Sequence, residues 1–582
     1  MDSLSYLNKY FLRYKKKLAL GVVFILISNT AQVFIPIFLR EGIDGIQENV
    51  SYTRLFEYGL LIVAAALIAG VFRFLIRQTI IVVSREIEYD LRQDFWAHIQ
   101  KLPYRYFQNN STGNIMAHAT NDISAVRMYV GPAVMYSVDT ISKFLIIIAI
   151  IVSISPLLTL YTLLPLPFLS YFVYKLSKKI HKKFTLIQES FSDLTTKAQE
   201  NYSGIRVIKS YVREDGEIES FTKQSEDYLN KTMDKVKVQA LFQPILYTIA
   251  GLSVIIVVWA GGAMIINNTL TLGDISAFVI YLGMLIWPMI AFGWILNIIQ
   301  QASASMKRLI KIFNEELEIQ DSSSTRYSIN SIKGKIEFQN VSFKYRENLP
   351  NVLENINFTI EPGETAAIIG RTGTGKTTLI NLIPRLFDPT EGKVLIDGYP
   401  VNEIPLKVLR SNIGLVPQET FLFSDTLKNN ILYGARSKTD ELIKLVSEIS
   451  QLHKDVESFP KGFETMLGER GITLSGGQKQ RSCLARALAI DPKILILDDS
   501  FSAVDTNTEE EILKRLKEFM KERTSIIISH RISTVKDADK IFVLDDGKIV
   551  EQGKHEELVA KAGIYADLHY KQLLEEELKE LS

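Results

Sequence analysis

The segment GRTGTGKTT, residues 370–378, combines glycines, a lysine and hydroxyls in a spacing suited to phosphate binding. It fits G-x-x-x-x-G-K-[ST], in which glycines let backbone N–H groups close around phosphates at the start of a helix. The strand pattern TAAIIG leads into it, as the motif requires. Lys376 would reach the β- and γ-phosphates of a nucleotide, and the Thr377 hydroxyl would bind Mg²⁺. The predicted phosphate-binding residues are Gly370, Arg371, Thr372, Gly373, Thr374, Gly375, Lys376, Thr377 and Thr378.

A second chemical group follows the apolar run ILIL, which ends in two adjacent carboxylates, Asp498 and Asp499. A buried strand of this kind places one carboxylate at its carboxyl end, where it can hold Mg²⁺ beside a phosphate loop. An apolar run ending in aspartate is a weak signal alone, but here it follows the phosphate loop in one α/β pattern. We therefore expect Thr377 and Asp498 to share a metal ion.

A third motif, LSGGQ at residues 474–478, stands before the helical pattern QKQRSCLARALAI. A glycine turn before a helix is one interpretation; the other is a second anion-binding helix start that includes Ser475. The residues predicted to contact a phosphate there are Ser475, Gly476, Gly477 and Gln478. Cys483, in the same pattern, is expected to be a buried small apolar residue rather than a reactive thiol.

Composition divides the chain into the parts that must position these motifs. Its 582 residues exceed one ordinary domain, and Lys+Arg 66 against Asp+Glu 65 gives no basic excess for a nucleic-acid partner. The single cysteine excludes a disulfide framework or a zinc cluster. Residues 1–313 hold the apolar runs, 314–332 are polar and serine-rich like a linker, and 333–582 alternate strand and helix patterns. We predict an all-α membrane domain followed by an α/β P-loop NTPase domain.

The first part is predicted to cross a membrane six times. The run from Leu18 to Leu39 has no charge, exceeds the apolar core of a signal peptide and lacks an A-x-A-like cleavage site. Basic residues before it place the N-terminus in the cytoplasm, and six spans return the chain there at Lys307. The predicted spans are 18–39, 58–83, 132–154, 156–176, 239–266 and 275–299.

Several side chains inside these spans have two interpretations. Arg73 and Arg77 could mark a substrate path, but side chains that snorkel to the cytoplasmic interface explain them more simply. Asp139 and Lys143, four residues apart, are expected to form an ordinary helical ion pair. Tryptophans 259, 287 and 294 could line a cavity for amphipathic molecules, although interface anchoring or helix packing explains them equally well.

Long polar connections of helical periodicity join spans two and three and spans four and five. They would extend the membrane helices into the cytoplasm and turn near PYRYFQNNSTGNIM and QENYSGIRVIKSYVRED. From the pattern alone, these turns are either solvated helical hairpins or contacts to another domain.

Taken together, the ordered motifs resemble the ATP-binding-cassette (ABC) transporter family, specifically an exporter-type half-transporter, over essentially the whole chain. Tyr345 matches the aromatic residue that stacks on adenine, GRTGTGKTT the phosphate loop, and Gln418 the Q-loop. GERG (468–471), LSGGQ, ILILDD, the SAVD loop (502–505) and His530 follow in the family's order. An importer would normally have its cassette on a separate chain and shorter cytoplasmic connections.

The resemblance implies ATP and Mg²⁺ as ligands, with Gln418 as a further contact to the metal and His530 on the γ-phosphate. It also implies a dimer, because the phosphate loop of one cassette and the LSGGQ segment of another enclose each ATP. Both cytoplasmic turns would then be coupling helices that dock on cassettes. The expected location is the plasma or inner membrane, with the cassette in the cytoplasm.

The chain departs from the family pattern at Asp499, where family members carry a glutamate that positions the attacking water. The shorter carboxylate should keep ATP binding but slow hydrolysis, since a displacement of about 1 Å can reduce a rate about 100-fold. Because LSGGQ is intact, we favour a heterodimeric multidrug-type exporter in which this chain supplies the slow site, with a homodimer as the alternative. A homodimeric lipid flippase is the alternative function.

Overall fold

The computed structural model describes residues 2–471 and 473–580 and contains two compact units. Unit 1 comprises Met1–Ala97 and Gly113–Asn314, and unit 2 comprises His98–Thr112 and Glu315–Ser582. Residues 98–112 fall inside the predicted first domain, 1–313, but they pack with unit 2. The ten strands that the described residues form all belong to unit 2.

Unit 1 is built from long helices because its apolar runs are interrupted by few helix-breaking residues. It starts with a short 3₁₀-helix, Asp2–Leu7, and π-helical turns occur at Arg77–Ile81, His118–Asp122 and Tyr129–Ala133. Its α-helices are Asn8–Arg13, Lys15–Gln47, Tyr52–Ile76, Val82–Ile99, Thr112–Ala117, Ile123–Met128, Val134–Ile154, Pro156–Leu163, Leu166–Ser203, Ile205–Ser210, Glu214–Ala240, Phe242–Ile266 and Leu272–Phe313.

Five continuous helical stretches among the described residues are long and apolar enough to cross a membrane. They cover the predicted spans 18–39, 58–83, 132–154, 239–266 and 275–299. The remaining predicted span, 156–176, is divided between two helices at Leu164 and Pro165, and neither helix meets the same criterion. The sixth crossing therefore stays a prediction.

The helices of unit 1 pack around a buried apolar cluster while their other faces stay exposed. Val33, Ile147, Val257 and Phe278 are fully buried in that cluster. Tyr281 is buried with them, and its hydroxyl donates to the Val33 carbonyl at 2.7 Å. The exposed faces include large apolar side chains, as expected of helices surrounded by lipid rather than water.

Unit 2 contains two sheets. Strands β1–β10 are Ile336–Phe343, Leu353–Ile360, Thr365–Ile369, Glu391–Ile396, Tyr399–Pro400, Ile413–Val416, Ile494–Asp498, Thr524–Ile528, Lys540–Asp545 and Lys548–Gly553. The smaller, antiparallel sheet has the order β2-β1-β4-β5, and the larger one has the order β10-β9-β3-β8-β7-β6. In the larger sheet β9, β3, β8, β7 and β6 are parallel, and β3, β7 and β8 are almost fully buried, which explains their continuous apolar sequences.

Helices cover the sheets of unit 2 and connect the parallel strands. Short 3₁₀ turns lie at Gly462–Glu464 and Glu469–Gly471. The α-helices are Tyr104–Asn109, Lys376–Asn381, Leu406–Ser411, Leu427–Ile431, Asp440–Ile449, His453–Val456, Gly476–Ala489, Thr506–Met520, Ile532–Val535, His555–Ala560 and Ile564–Glu580.

The segment predicted as a linker, 314–332, has no regular secondary structure beyond Asn314 but contacts unit 2 at several points. The Asp321 carboxylate accepts from the Leu406 N–H at 2.9 Å, and the Arg326 N–H donates to the Glu403 carbonyl at 2.7 Å. Ile332 is buried in the core of the unit.

Candidate functional site

Neighbouring parallel strands of the larger sheet bring four of the predicted motifs to one edge. β3 runs into the phosphate loop and β7 ends at Asp498. β8 ends two residues before His530, and β6 ends two residues before Gln418. Ligands of open α/β sheets bind at this carboxyl edge, so the strand order alone gathers residues that are far apart in the sequence.

The phosphate loop is shaped by its glycines. A side chain at Gly370 would collide with the backbone carbonyl of Leu544, and Gly375, which precedes the helix, has φ +99°, a value that favours glycine. The Lys376 ammonium donates to the carbonyl oxygens of Gly370 and Arg371, both at 2.8 Å. These contacts curl the loop around the lysine, which is the arrangement needed to surround a phosphate with N–H groups.

The two residues predicted to share a metal are in direct contact. The Thr377 hydroxyl donates to Asp498 Oδ2 at 2.8 Å, and the Asp498 side chain is almost fully buried. A hydroxyl and a carboxylate are oxygen ligands of the kind Mg²⁺ prefers. The residues present therefore fit a magnesium ion, which Thr377 and Asp498 would hold next to the phosphate loop.

Burial perturbs the ionisable groups of this site. It lowers the pKa of Lys376, although the nearby carboxylates of Asp498 and Asp499 oppose that effect. It raises the pKa of Asp498, and the negative charge of Asp499 raises it further, while the hydrogen bond from Thr377 lowers it. Two carboxylates facing one partly desolvated ammonium form a site that gains from binding a divalent cation.

Tyr345, the predicted adenine contact, lies beside the first turn of helix Lys376–Asn381. Its hydroxyl is 2.9 Å from Thr378 Oγ1, and its ring packs edge-on against Phe343 and Phe387, with ring centroids 5.0 and 5.5 Å away. The ring is partly exposed, so one of its surfaces remains available for stacking.

His530 and Gln418 occupy different environments at the sheet edge. His530 is half-buried and lies close enough to Asp498 to lower the pKa of that carboxyl. Its carbonyl accepts a hydrogen bond from Gln572 of the C-terminal helix, whose Oε1 also accepts from the Ile532 N–H at 2.8 Å. Gln418 is exposed, and no direct hydrogen bond from it to Asp498 occurs among the described residues.

The LSGGQ segment forms the capped start of helix Gly476–Ala489. The Ser475 hydroxyl accepts from the Gln478 N–H at 3.3 Å, and Gln478 Oε1 accepts from the Ser475 N–H at 2.9 Å, a capping box. Gln478 also donates to Asp455 at 3.0 Å. Cys483 is buried in this helix, as predicted, and burial raises the pKa of its thiol.

Asp499 begins a sharp turn after β7, with φ +46°. Its N–H donates to the Ile528 carbonyl at 2.9 Å and its carbonyl accepts from the Ser502 hydroxyl at 3.1 Å. The backbone of this residue is therefore held on both sides. Its side-chain carboxylate has no hydrogen bond in the part of the chain that the structure describes.

Gln480 is a residue of this site that sequence reasoning missed. Its Nε2 donates to Ser502 Oγ at 2.9 Å and lies 3.5 Å from the Asp499 carbonyl, and its Oε1 accepts from the Ala503 N–H at 2.9 Å. It thus ties the LSGGQ helix to the SAVD loop. The only sequence signal was a glutamine within the helical pattern after LSGGQ, which does not say what the glutamine contacts.

Two family models cover most of the chain. The model for the ABC transporter transmembrane region matches residues 18–289, and the ABC transporter model matches residues 353–502. The first match covers most of unit 1 and also includes residues 98–112, which pack with unit 2. The second begins at β2 and ends in the SAVD loop, so it includes the phosphate loop, the LSGGQ segment and Asp498.

Relatives that align along almost the whole chain, and one solved structure, support the same family assignment. The chain is 37% identical over 574 residues to the probable multidrug resistance ABC transporter ATP-binding/permease protein YheI of Bacillus subtilis, covering 98% of this chain and 97% of that protein. It is 33% identical over 580 residues to an ATP-dependent lipid A-core flippase of Syntrophus aciditrophicus, covering 100% and 96%. The structure of a bacterial Atm1-family ABC exporter with ATP bound superposes with a TM-score of 0.77 at 25% identity, covering 96% of this chain and 99% of that one.

Proposed function

This chain belongs to the ABC transporter family as a half-transporter of the exporter type, and on that premise we propose that it exports hydrophobic or amphipathic compounds as the slow-site subunit of a heterodimer. Membership accounts for ATP binding, a membrane location and ATP-driven export. The substrate class, the unequal pairing and the reduced hydrolysis at Asp499 are the specific content of the proposal.

The combination of Asp499 with an intact LSGGQ segment carries the proposal. A carboxylate at position 499 can attract a water molecule, but it is one methylene shorter than glutamate. The Asp499 backbone cannot move toward the phosphate loop to compensate for the shorter side chain, because hydrogen bonds to Ile528 and from Ser502 hold it in place. Hydrolysis at this chain's own phosphate loop should therefore be slow, while Lys376, Thr377 and Asp498 retain ATP.

The remaining roles follow from the placement of the side chains. Lys376 offsets phosphate charge, Thr377, Asp498 and Gln418 are the proposed metal contacts, and Tyr345 stacks on the adenine. Bound Mg²⁺ would supply charge stabilisation for the phosphates during transfer to water. His530 would contact the γ-phosphate, held in position by Gln572. Ser475 and Gln478 would complete the ATP site of the partner subunit.

The substrate class rests on relatives named for multidrug resistance, of which YheI is one. The relative named as a lipid A-core flippase supports a second candidate, a homodimer that moves lipid. Reconstitution in liposomes separates the two functions. Accumulation of a fluorescent amphipathic drug would support the first, and ATP-dependent transfer of a labelled lipid between leaflets without drug transport would support the second.

The test of the unequal pairing is the ATPase activity of the purified chain without any second subunit, in lipid nanodiscs. We expect turnover far below the order of 1 per second that ordinary enzymes reach. Copurification with a second half-transporter should restore it. Turnover of about 1 per second or faster by this chain alone would contradict the heterodimer.

A further inference from the structure

We propose that the C-terminal helix, Ile564–Glu580, belongs to the part of unit 2 that distinguishes a nucleoside triphosphate from a diphosphate, with Gln572 as the positioning residue for His530. The inference deepens the proposed function and rests on the contact proposed there between His530 and the γ-phosphate. Residues 529–532, which carry His530, are called the switch loop. The helix and the loop both lie in unit 2 and beyond residue 502, where the match to the ABC transporter model ends.

The observation that carries the proposal is that one amide side chain holds the switch loop at two points. Gln572 Nε2 donates to the carbonyl oxygen of His530, and Gln572 Oε1 accepts from the Ile532 N–H at 2.8 Å. A glutamine amide has a donor and an acceptor side by side, so it matches a carbonyl and an N–H that lie two residues apart. The reverse orientation of the amide would place two donors and two acceptors face to face.

Both backbone groups need a partner because the chain has left the sheet at this point. β8 ends at Ile528, and the short helix Ile532–Val535 begins four residues later. The Ile532 N–H is the first of that helix and has no carbonyl partner within it. The Ser529 hydroxyl accepts from the Arg531 N–H at 3.0 Å, which closes the loop locally. Gln572 is therefore the contact that attaches the loop to a separate helix.

A buried carboxylate holds the same segment from another helix. Glu509 of helix Thr506–Met520 is only 4% exposed and accepts hydrogen bonds from the Arg531 guanidinium and from the Thr534 hydroxyl, the latter at 2.7 Å. This helix begins in the SAVD loop, where Asp505 caps it. These contacts use the backbone of His530 and the side chains of its neighbours, so they leave the imidazole for a ligand.

The C-terminal helix is anchored firmly enough to act as a support. Tyr565 in its first turn is fully buried in the core of unit 2, and its hydroxyl lies 2.7 Å from His555 Nδ1. The Glu551 carboxylate accepts from the N–H groups of the helix's first two residues, at 2.6 and 3.3 Å. Leu568 packs against the same core. Because Tyr565, Leu568 and Gln572 follow the spacing i, i+3, i+7, the face that contacts the core also carries the amide.

This arrangement predicts which nucleotides Gln572 affects. Without the amide, the His530 carbonyl and the Ile532 N–H would turn to water, and the imidazole would lose its fixed position at the sheet edge. A diphosphate has no γ-phosphate and is held by the phosphate loop and Lys376 alone. Gln572 should therefore change the affinity for a triphosphate and leave the affinity for a diphosphate unchanged.

Competition between nucleotides for this chain's own phosphate loop tests the inference. The full chain, with any copurified partner, is placed in lipid nanodiscs with Mg²⁺ and photolabelled on ice with a radioactive azido-ATP. The label is counted on this chain after its separation from other subunits on a gel. AMP-PNP and ADP are the competitors. Because AMP-PNP is not hydrolysed, the result does not depend on the hydrolysis rate that Asp499 permits.

Variants of Gln572 and His530 provide the decisive comparison. Gln572→Leu should weaken competition by AMP-PNP about tenfold, as His530→Ala does, and should change competition by ADP less than about twofold. In the double variant the loss should remain about tenfold, because a residue that acts through His530 has no effect once the imidazole is absent. Gln552→Leu, at an exposed glutamine of β10, is the matched control and should change neither competition. Gln572→Met replaces the leucine variant if that protein is not recovered.

Three results would overturn the proposal. Equal weakening of AMP-PNP and ADP, or a loss of about a hundredfold in the double variant, would mean that Gln572 only supports the fold. Unchanged AMP-PNP competition in Gln572→Leu, alongside a loss in His530→Ala, would mean that the imidazole is positioned without it. No effect of His530→Ala would remove the γ-phosphate contact on which the inference rests. Since none of these measurements involves transport, failure here is distinguishable from failure of the export function.

Discussion

Asp499 follows Asp498, the proposed metal contact. Its backbone has little freedom, since φ is +46° and hydrogen bonds hold both its N–H and its carbonyl. Only the side-chain length can bring the carboxylate closer to a water molecule on the phosphate. Asp499→Glu should therefore raise the ATPase rate of the isolated chain about 100-fold, the effect of correcting a misplacement of about 1 Å. Phosphate release in nanodiscs measures it.

The control for this gain is the same glutamate substitution combined with Lys376→Gln. The double variant should lose the increase, because Lys376 holds the phosphate loop and contributes the positive charge. An Asp499→Glu rate equal to that of the unmodified chain would contradict a slow site caused by side-chain length.

The buried, ionised carboxylate of Asp498, a proposed metal contact, should lower the stability of the folded chain at neutral pH. Burial raises its pKa, so the folded domain holds this proton more tightly than the unfolded chain does. The stabilisation gained from this proton is fully present when the pH is below the pKa of Asp498 in the unfolded chain. It is lost as the pH rises through the pKa of Asp498 in the folded domain. At neutral pH without ligand, Asp498→Asn should therefore raise the melting temperature of the chain by about 2 °C.

Differential scanning fluorimetry between pH 4 and pH 8 checks this prediction. The gain from Asp498→Asn should shrink toward low pH, where the aspartate itself becomes protonated. Adding Mg²⁺ and ATP should stabilise the unmodified chain more than the variant. A gain that is constant across this pH range would mean that ionisation of Asp498 is not its cause.

At the scale of elements, sequence reasoning predicted the strands and helices that carry the candidate phosphate-binding motifs. β3, β7 and helix Gly476–Ala489 are where their apolar patterns placed them. These patterns work because a buried parallel strand needs a continuous apolar run and a helix start needs a cap. Strand order and adjacent contacts, such as Gln480 with Ala503, depend on tertiary packing and have no local signal.

The arrangement of unit 1 was less predictable from its sequence, because contacts between helices also have no local signal. The segment 156–176 is apolar enough to be taken as one span, but Pro165 lies where two helices meet. The charged residues near Arg77 and Lys143 looked independent in the sequence, because nothing local shows that helices far apart in the chain share one cavity. Sequence periodicity describes single elements, whereas cavities are made between them.

The helix Tyr104–Asn109 is an element whose placement supports its proposed coupling role. It packs within unit 2, where the Tyr104 ring lies 5.7 Å from that of Phe387 and Asn109 accepts a hydrogen bond from Arg346. Tyr104→Ala should reduce ATP-driven transport about tenfold, within the usual range of coupling energies, and leave ATP binding unchanged. Transport into inverted vesicles and ATP binding by filter assay provide the two readouts.

Tyr52→Ala is the matched control for this substitution, because Tyr52 is a fully exposed tyrosine at the start of another helix. It should alter neither transport nor ATP binding. Loss of ATP binding in Tyr104→Ala would instead indicate that this helix stabilises the nucleotide site directly.

For the whole molecule, a heterodimer with one slow and one competent ATP site predicts that two substitutions in this chain lower the ATPase rate by different factors. Ser475→Asp keeps a side chain that can cap the helix but places a negative charge where the partner's ATP would bind. It should lower the ATPase rate of the complete transporter about 100-fold or more, as loss of phosphate stabilisation does. Lys376→Gln, which affects only the slow site, should lower it less than about tenfold.

The complex is purified through a tag on this chain, and its phosphate release is compared among variants. Thr439→Asp, a substitution at another helix cap in unit 2, controls for the change of capping residue and should have little effect. Equal losses from Ser475→Asp and Lys376→Gln would favour the homodimer.

The contacts of Gln480 also bear on how the two ATP molecules are bound relative to each other. This one side chain fastens the turn after Asp499, beside the chain's own nucleotide, to the helix that would meet the partner's nucleotide. ATP bound at either site would then act on the same joined segment, the turn after Asp499 together with helix Gly476–Ala489. ATP-binding curves should therefore be steeper than those of two independent sites. By thermodynamic reciprocity, the factor by which the first ATP changes the affinity for the second applies equally in reverse. A pair of sites with very different hydrolysis rates can in this way still bind as one cooperative unit.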